Sequence, residues 1–198
     1  MHYDFIEIGT SDFDSLVESC KDEAVGLCVE PVRVHLDKLP SKPNVRKVCA
    51  AISIHNIRGS CNVFFVPPDV IADHGLPEWL KGCNSIGKRH LQHNVLGIEH
   101  LVSIETVREM PIFDLLLEHE VTSIDVLKID TEGGDCQILM WFFVSIVNNP
   151  KLSPRRIIFE KNILTNEADF TAVIQLYNAI GYTETGRYGD NVELEFVA

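Results

Sequence analysis

The sequence has few cationic residues. Its 17 lysines and arginines stand against 29 aspartates and glutamates, which gives a net charge of −12. Because nucleic-acid surfaces depend on clustered Lys and Arg, this balance argues against a nucleic-acid-binding protein. The two short basic runs, at residues 88–90 and 155–156, are typical of a solvated rim rather than of a nucleic-acid tract.

Long apolar runs and closely paired cysteines are also absent. The longest mostly apolar run, residues 138–147, is too short for a bilayer span, which needs about 20 residues. No basic segment followed by an apolar one is visible at the N-terminus. None of the six cysteines forms a Cys-x-x-Cys pair, so neither a zinc knuckle nor a redox motif is indicated. We therefore expect a cytoplasmic protein with reduced thiols and no membrane span.

Strand and helix patterns alternate along the chain, and no linker divides it. We expect one domain over residues 1–198. Seven apolar segments predict the strands of one sheet, at residues 5–9, 25–30, 45–53, 124–130, 156–160, 182–187 and 192–197. The alternation predicts an α/β fold with a doubly wound, mostly parallel Rossmann-like sheet, and the last two strands predict an antiparallel C-terminal hairpin.

The segments between these strands predict helices and one irregular insertion. Apolar residues at i, i+3, i+4 and i+7 predict a helix over 13–20, which includes Phe13, with Ser11 and Asp14 as its capping pair. Further helices are predicted at 113–120, 136–147 and 167–180, and extended segments at 59–66 and 95–104. Residues 67–94 are rich in Pro and Gly and read as a loop-rich insertion with one short helix near 77–81.

Several predicted strands end in an acid. Glu7, Glu30, Asp130 and Glu160 each stand at a strand end, where ligands bind in open α/β sheets. Gly9 follows the first strand and allows close backbone approach to a ligand. Glu30 lies 21 residues after Gly9, at the spacing of a carboxylate that accepts hydrogen bonds from ribose hydroxyls. Together they predict a nucleoside site.

The first turn also indicates which nucleoside. A dinucleotide site needs three glycines to seat a pyrophosphate, whereas Thr10, Ser11 and Asp12 follow Gly9 here. The Asp12 carboxylate would repel phosphate. A cationic, phosphate-free nucleoside such as S-adenosylmethionine is a better electrostatic match, since its sulfonium and amino groups suit a pocket lined by Glu7, Asp12 and Asp130.

Three strings carry a resemblance to a known family. They are DVLKIDTEGGD at 125–135, VCAAIS at 48–53 and WLKGCNSIG at 79–87. They resemble the FkbM-type S-adenosylmethionine-dependent methyltransferases, which typically show L-K-I-D-x-E-G-x-E after the fourth strand. The resemblance covers most of the chain, from Phe5 to about Asn162. It implies a class I methyltransferase fold, S-adenosylmethionine as donor, and often a hydroxyl acceptor on a small molecule or glycan.

The resemblance also implies roles for individual positions. The methionine moiety would be surrounded by Glu7, Gly9, Thr10, Ser11 and Asp12. Glu30, with Pro31 beside it, would hold the ribose. The adenine would be flanked by Ala50, Ala51 and Ile52. Asp130 and Glu132 would face the transferred methyl group.

Methyl transfer to a hydroxyl needs alignment and benefits from a base. The carboxylate candidates are Asp130 and Glu132. The histidine candidates are His55, His90 and His93, of which the last two lie in the insertion, and we select His93. Alternatively, the two carboxylates cap the helix that follows. Glu160, Asn162 and Asp130 together offer oxygen ligands for Mg²⁺. We favour the simpler interpretation, in which Glu160 pairs with a lysine or arginine, such as Lys161 or Lys128, and no metal is bound.

Two other functions remain open at this stage. A nicotinamide-dependent oxidoreductase would use a similar sheet, but the missing glycines and the terminal hairpin argue against it. A cofactor-binding scaffold without activity is the non-enzymatic alternative. A homo-oligomer is also compatible with the sequence.

Overall fold

The computed structural model describes residues 1–12 and 14–197; Phe13, which the predicted first helix includes, lies outside them. The strands are β1 His2–Ile8, β2 Gly26–Val29, β3 Val45–Val48, β4 Ala51–Ile52, β5 Gly59–Phe65, β6 Ser85–Ile86, β7 Ser103–Met110, β8 Ser123–Ile129, β9 Arg156–Glu160, β10 Tyr182–Tyr188 and β11 Asn191–Phe196. The helices are α1 Leu16–Ser19, α2 Arg33–Lys38, α3 Pro68–Asp73, α4 Leu91–Val95, α5 Ile112–Glu118, α6 Asp135–Asn148 and α7 Glu167–Ala179. Three 3₁₀ turns lie at Glu78–Lys81, Glu99–Leu101 and Pro150–Leu152.

Seven strands form the main sheet, in the order β10-β11-β9-β8-β1-β2-β3. The pairs from β9 to β3 are parallel, and β11 runs antiparallel to both β9 and β10. The predicted seven-stranded, mostly parallel sheet with an antiparallel C-terminal hairpin is therefore confirmed. After β1 the chain builds outward to β3 and then returns to the other side of β1 with β8. The carboxyl ends of β1 and β8 thus flank the point where strand order reverses, which is where ligands bind in such sheets.

Alternating side chains of the main sheet pack into two hydrophobic clusters. Phe5 of β1 and Cys28 of β2 pack with Leu36 of α2 in the smaller cluster. The larger cluster joins Ile6 of β1 to residues of α5, α6 and α7, among them Phe142. Side chains from both clusters are buried, which fixes the register of β1 and so the position of its carboxyl end.

The predicted strand over 45–53 is wrong as a single element. Val45–Val48 pairs with β2, but Ala51–Ile52 joins a separate four-stranded sheet in the order β4-β7-β5-β6. Between Val48 and Ala51 the run continues with the apolar residues Cys49 and Ala50 and has no glycine or proline, so nothing in its pattern marks the break. The break places residues 50–52 beside the end of β2 instead of at the sheet edge.

The structure corrects two further predictions. The predicted strand 95–104 is wrong: its first part holds the end of α4 and the turn Glu99–Leu101, and the strand spans Ser103–Met110. The insertion is more ordered than predicted, with α3, α4 and β6 in addition to the turn at Glu78–Lys81. Its order follows from a small core of its own, formed by Val66, Ile71, Leu80, Cys83 and Ile98.

The predicted capping pair of the first helix is also wrong. Ser15, not Ser11, is the N-cap of α1, and it forms a capping box with Glu18. Ser11 and Asp14 instead adopt left-handed backbone, with φ of 47° and 54°. No helix in the described ranges is both long and apolar enough to cross a bilayer.

Candidate functional site

A cavity lies at the carboxyl ends of β1, β2 and β8, and its walls include most of the predicted site residues. These are Gly9, Thr10, Ser11, Glu30, Pro31, Ala50, Ala51, Ile52, Asp130 and Glu132. Glu160 joins them from the end of β9, and Trp79, Gly82 and Asn84 of the insertion line the opposite side. Residues far apart in the chain therefore share one cavity at the reversal of strand order.

Gly9 lets the first turn fold against the end of β8. Its φ is +81°, and its N–H donates to the Val29 carbonyl at 2.8 Å. A Cβ at this position would lie 1.7 Å from the Asp130 carbonyl oxygen. Only glycine fits this approach, so Gly9 fixes the spacing between the first turn and Asp130.

Glu30 is a wall residue of the cavity, next to the end of β2. It is 2% exposed, and its two carboxylate oxygens accept hydrogen bonds from the Ser11 and Val32 N–H groups, each at 2.9 Å. Burial raises its pKa to about 7, and the two backbone donors act in the opposite direction. Each oxygen has a second lone pair, so the carboxylate is able to accept further hydrogen bonds from a bound hydroxyl.

Glu7 lies outside the cavity walls, contrary to its predicted place at the methionine moiety. It is fully buried, and it accepts hydrogen bonds from the Ser15 hydroxyl at 2.6 Å and the Leu16 N–H at 2.8 Å. Its other oxygen pairs with Lys128 Nζ at 2.9 Å. Glu7 therefore fixes the start of α1, and its charge is already matched.

Asp12 likewise faces away from the cavity. Its side chain is 4% exposed and lies 3.4 Å from Lys38 Nζ and 3.9 Å from Lys81 Nζ. The Ser11 hydroxyl beside it donates to the Lys81 carbonyl at 3.0 Å. These contacts attach the turn Glu78–Lys81, which we call the cover of the cavity, to the first turn. Asp12 therefore holds this cover in place and is not itself a wall residue.

The carboxylates of Asp130, Glu132 and Glu160 lie close together. One oxygen from each lies within 4.8 Å of one oxygen of the other two. Burial, followed by repulsion from Glu132, raises the pKa of Asp130 to about 6. Burial, followed by repulsion from Asp130 and Glu132, raises that of Glu160 to about 9. At neutral pH Glu160 is therefore protonated while Asp130 is mostly ionised, a separation that suits acid and base roles.

The predicted pairing of Glu160 with a lysine or arginine is wrong. Within residues 1–12 and 14–197 it forms no ion pair, because Lys161 pairs with Glu167 at 2.8 Å and Lys128 pairs with Glu7. Asn162 Nδ2 donates to Glu160 at 2.8 Å instead. Glu160 is thus neutralised by a proton rather than by a cation.

The alternative set of magnesium ligands, formed by Asp130, Glu160 and Asn162, is not arranged as one. Asn162 Oδ1 accepts the Leu164 N–H at 2.8 Å, which fixes the amide orientation and turns its nitrogen toward Glu160 and Glu132. The oxygen is therefore engaged elsewhere. The three carboxylates alone have the chemistry to share a cation or a proton. Desolvation and mutual repulsion raise the pKa values of Asp130 and Glu160 despite the nearby Lys128 charge, which favours a shared proton.

Asp130 and Glu132 do not cap α6, contrary to the structural alternative. Asp135 accepts the Thr131 N–H and the Glu160 N–H, each at 2.8 Å, and so joins the ends of β8 and β9. Glu132 has a φ of +54°, a strained conformation for a residue other than glycine. Its backbone turns the side chain toward the insertion, where it meets His90.

His93, the predicted histidine base, lies away from the cavity. It is fully buried, and burial is the main reason that its pKa falls to about 4. His90 is the histidine near the acids, with Nε2 at 3.2 Å from Glu132 Oε2. Both histidines are candidates from the sequence, and we selected His93; the place of His90 just before Leu91, at the start of a helix, was the signal that could have decided between them.

The cavity is rich in hydrogen-bond acceptors and poor in cations. Lys128 is the only cationic side chain among its described wall residues, and Glu7 neutralises it. Asn84 Oδ1 adds a buried acceptor without a partner in the described residues. Such walls suit a ligand with a positive charge and hydroxyl groups, and they disfavour phosphates.

Comparison with known proteins identifies a family model that matches the chain. Residues 7–183 match the family model described as the methyltransferase FkbM domain. The matched range runs from the end of β1 into β10 and includes every residue of the cavity walls named above. Neither a curated protein nor a solved structure matches the chain.

Proposed function

The chain belongs to the FkbM methyltransferase domain family, and on this premise we propose that it transfers the methyl group of S-adenosylmethionine to a hydroxyl of a small molecule or glycan. One observation carries the proposal. At the reversal of strand order, a cavity without an unpaired cation in its described walls holds Glu30 on one side and Asp130 with Glu132 on the other. This is the charge pattern that a nucleoside with a sulfonium group requires.

In this proposal the main sheet is the doubly wound, Rossmann-like sheet of a class I methyltransferase. The strand order supports it, as does the packing of α2 with one hydrophobic cluster of the sheet and of α5–α7 with the other. The four-stranded sheet and the insertion then form the side of the cavity away from the main sheet.

Donor binding follows from the wall residues. Glu30 accepts hydrogen bonds from the ribose hydroxyls, with Pro31 beside it. Ala50, Ala51 and Ile52, all nearly fully buried, supply an apolar surface for adenine. Gly9, Thr10 and Ser11 contact the methionine portion. Glu7 and Asp12 act indirectly, since they hold α1 and the cover in place.

The acids supply the proton chemistry. S-adenosylmethionine, when bound, supplies a methyl group on a sulfonium leaving group. Asp130 accepts the proton of the acceptor hydroxyl, because a carboxyl with a pKa of about 6 is ionised at neutral pH yet more basic than an ordinary aspartate. Glu160 keeps its own proton and donates a hydrogen bond within the group. Alignment of the acceptor by the insertion supplies the rest.

Calorimetric titration tests the proposal. We expect S-adenosylhomocysteine to bind at micromolar concentration, and NAD not to bind. Glu30→Gln should weaken binding at least tenfold, whereas the control Glu23→Gln, at an exposed glutamate, should not. Binding of NAD alone would point to an oxidoreductase, and binding of neither would favour a scaffold without activity.

Three further predictions accompany this function. The acceptor is a small molecule or a glycan and not a nucleic acid, in keeping with the net charge of −12. The setting is cytoplasmic, which the six free cysteines support. A homo-oligomer remains a prediction, to be measured by light scattering.

A further inference from the structure

His90 connects the insertion to the acids of the cavity. It is the N-cap of α4, it is 6% exposed, and its Nδ1 accepts the Gln92 N–H at 3.2 Å. Its Nε2 lies 3.2 Å from Glu132 Oε2. One ring therefore closes a helix end and touches a carboxylate that faces the proposed donor site.

The backbone contact determines the tautomer of the ring. A backbone N–H only donates, so Nδ1 must present its lone pair to Gln92. A neutral imidazole with a bare Nδ1 carries its hydrogen on Nε2, which then donates to Glu132. A doubly protonated ring would point its Nδ1–H at the Gln92 N–H. The contact is thus a hydrogen bond from a neutral histidine.

The same tautomer argues against a metal at this place. Cys83, His90 and Glu132 offer ligand atoms within 4.8 Å of one another, a set that zinc binds elsewhere. Coordination through Nε2 would require the hydrogen to move to Nδ1, and this would break the cap of α4. Burial also raises the pKa of the Cys83 thiol to about 12, so that it is no ready thiolate.

We propose that His90 is a positioning residue for the methyl transfer proposed above: its Nε2–H holds the Glu132 carboxylate turned into the cavity, and it does so only while α4 is docked. This inference rests on the proposed function. Glu132 needs such support, because the Asp130 carboxylate lies beside it, Cys83 gives it no cation, and its backbone has positive φ. Asn162 Nδ2, at 3.4 Å, is the one other donor among the described contacts.

The first experiment measures the tautomer directly. Long-range ¹H–¹⁵N correlation spectra of histidine-labelled protein at pH 7 should show His90 protonated at Nε2 and bare at Nδ1, with the signal assigned by its loss in His90→Asn. A ring protonated at Nδ1, or at both nitrogens, would overturn the proposal. This outcome does not depend on any enzymatic activity.

The second experiment separates the cap from the contact with Glu132. Asn is a good N-cap but too short to reach Glu132, whereas Gln reaches the carboxylate and is a poorer cap. We expect His90→Asn to keep thermal stability and S-adenosylhomocysteine affinity, yet to lower the affinity ratio of S-adenosylmethionine to S-adenosylhomocysteine about threefold or more. His90→Gln should restore the ratio.

His74→Asn is the matched control, since His74 is an exposed histidine of the same insertion. If His90→Asn leaves the ratio unchanged while both nucleosides bind, His90 has only a structural role. If the unaltered protein binds neither nucleoside, the proposed function fails and the positioning role fails with it, whatever the tautomer.

Discussion

Glu7 and the Asp12 side chain are buried beside lysines, whereas Asp130 and Glu160 are half-buried beside other acids. Lys128 lies 2.9 Å from Glu7, and Lys38 lies 3.4 Å from Asp12. Among the described residues neither Asp130 nor Glu160 forms an ion pair, and their pKa values rise to about 6 and about 9. In the sequence, all four are acids at or near strand ends.

The difference separates two roles of acids that are shielded from solvent, one in stabilising the fold and one in binding a ligand. A carboxylate with a lysine partner is satisfied, and it holds structural elements together. A carboxylate among acids must take up a proton or a cationic ligand. Glu7 and Asp12 therefore stabilise the first turn and the cover of the cavity. Asp130 and Glu160, together with Glu132, are available to a ligand.

The largest expected effect is at the turn that joins the two groups. Gly9→Ala puts a Cβ 1.7 Å from the Asp130 carbonyl at a φ of +81°, so the turn must separate from β8. We expect a loss of at least about 3 kcal/mol in the free energy of unfolding, measured by urea denaturation. Gly75→Ala, with positive φ but open space around it, should cost only about 1 kcal/mol.

Breaking the ion pair tests the structural half of the comparison. Lys128→Met leaves the Glu7 carboxylate buried and unpaired, which should cost about 3–5 kcal/mol of unfolding free energy. Adding Glu7→Gln should recover much of this loss, because the uncompensated charge is then gone. A single variant as stable as the unaltered protein would show that the pair does not hold the turn.

The pH dependence of stability tests the binding half. Asp130 and Glu160 titrate near pH 4 in the unfolded chain, so above that pH the folded protein binds more protons than the unfolded one. Their contribution is therefore complete at low pH and is lost as pH rises through about 6 and then about 9. Unfolding free energies at pH 5.5 and 9.5 should show this decline, and Glu160→Gln should reduce it. An equal decline in that variant would contradict the assignment.

The smallest expected effect is optical. Trp79 lines the cavity, whereas the Trp141 indole on α6 donates to the Ile54 carbonyl at 3.0 Å outside it. Binding of S-adenosylhomocysteine should change the fluorescence of the unaltered protein and of Trp141→Phe, but not of Trp79→Phe. A response that follows Trp141 would place the ligand elsewhere.

The main sheet was predictable because its buried strands are apolar runs between polar segments. The strand-end rule then located Glu30 and Asp130 at one cavity. The second sheet was not predictable, since the run from Val45 to Ser53 hides its break. The pairing of Glu7 with Lys128 depends on the register between β1 and β8, which sets these two residues side by side, and no local pattern encodes that register.

The choice between His90 and His93 shows the same limit at the site. Both lie in one short segment of the insertion, both are buried, and from the sequence we selected His93, which lies away from the cavity. His90 reaches Glu132 because it precedes α4 and so has a ring nitrogen held by the helix N-terminus. That position depends on how the insertion folds over the cavity.

A crystal structure of the complex with S-adenosylhomocysteine tests the central claim most directly. We expect both ribose hydroxyls within hydrogen-bond distance of the Glu30 carboxylate, and the sulfur on the side of the cavity formed by Asp130 and Glu132. A nucleoside bound outside this cavity, or a Glu30 carboxylate in contact only with the Ser11 and Val32 N–H groups, would contradict it.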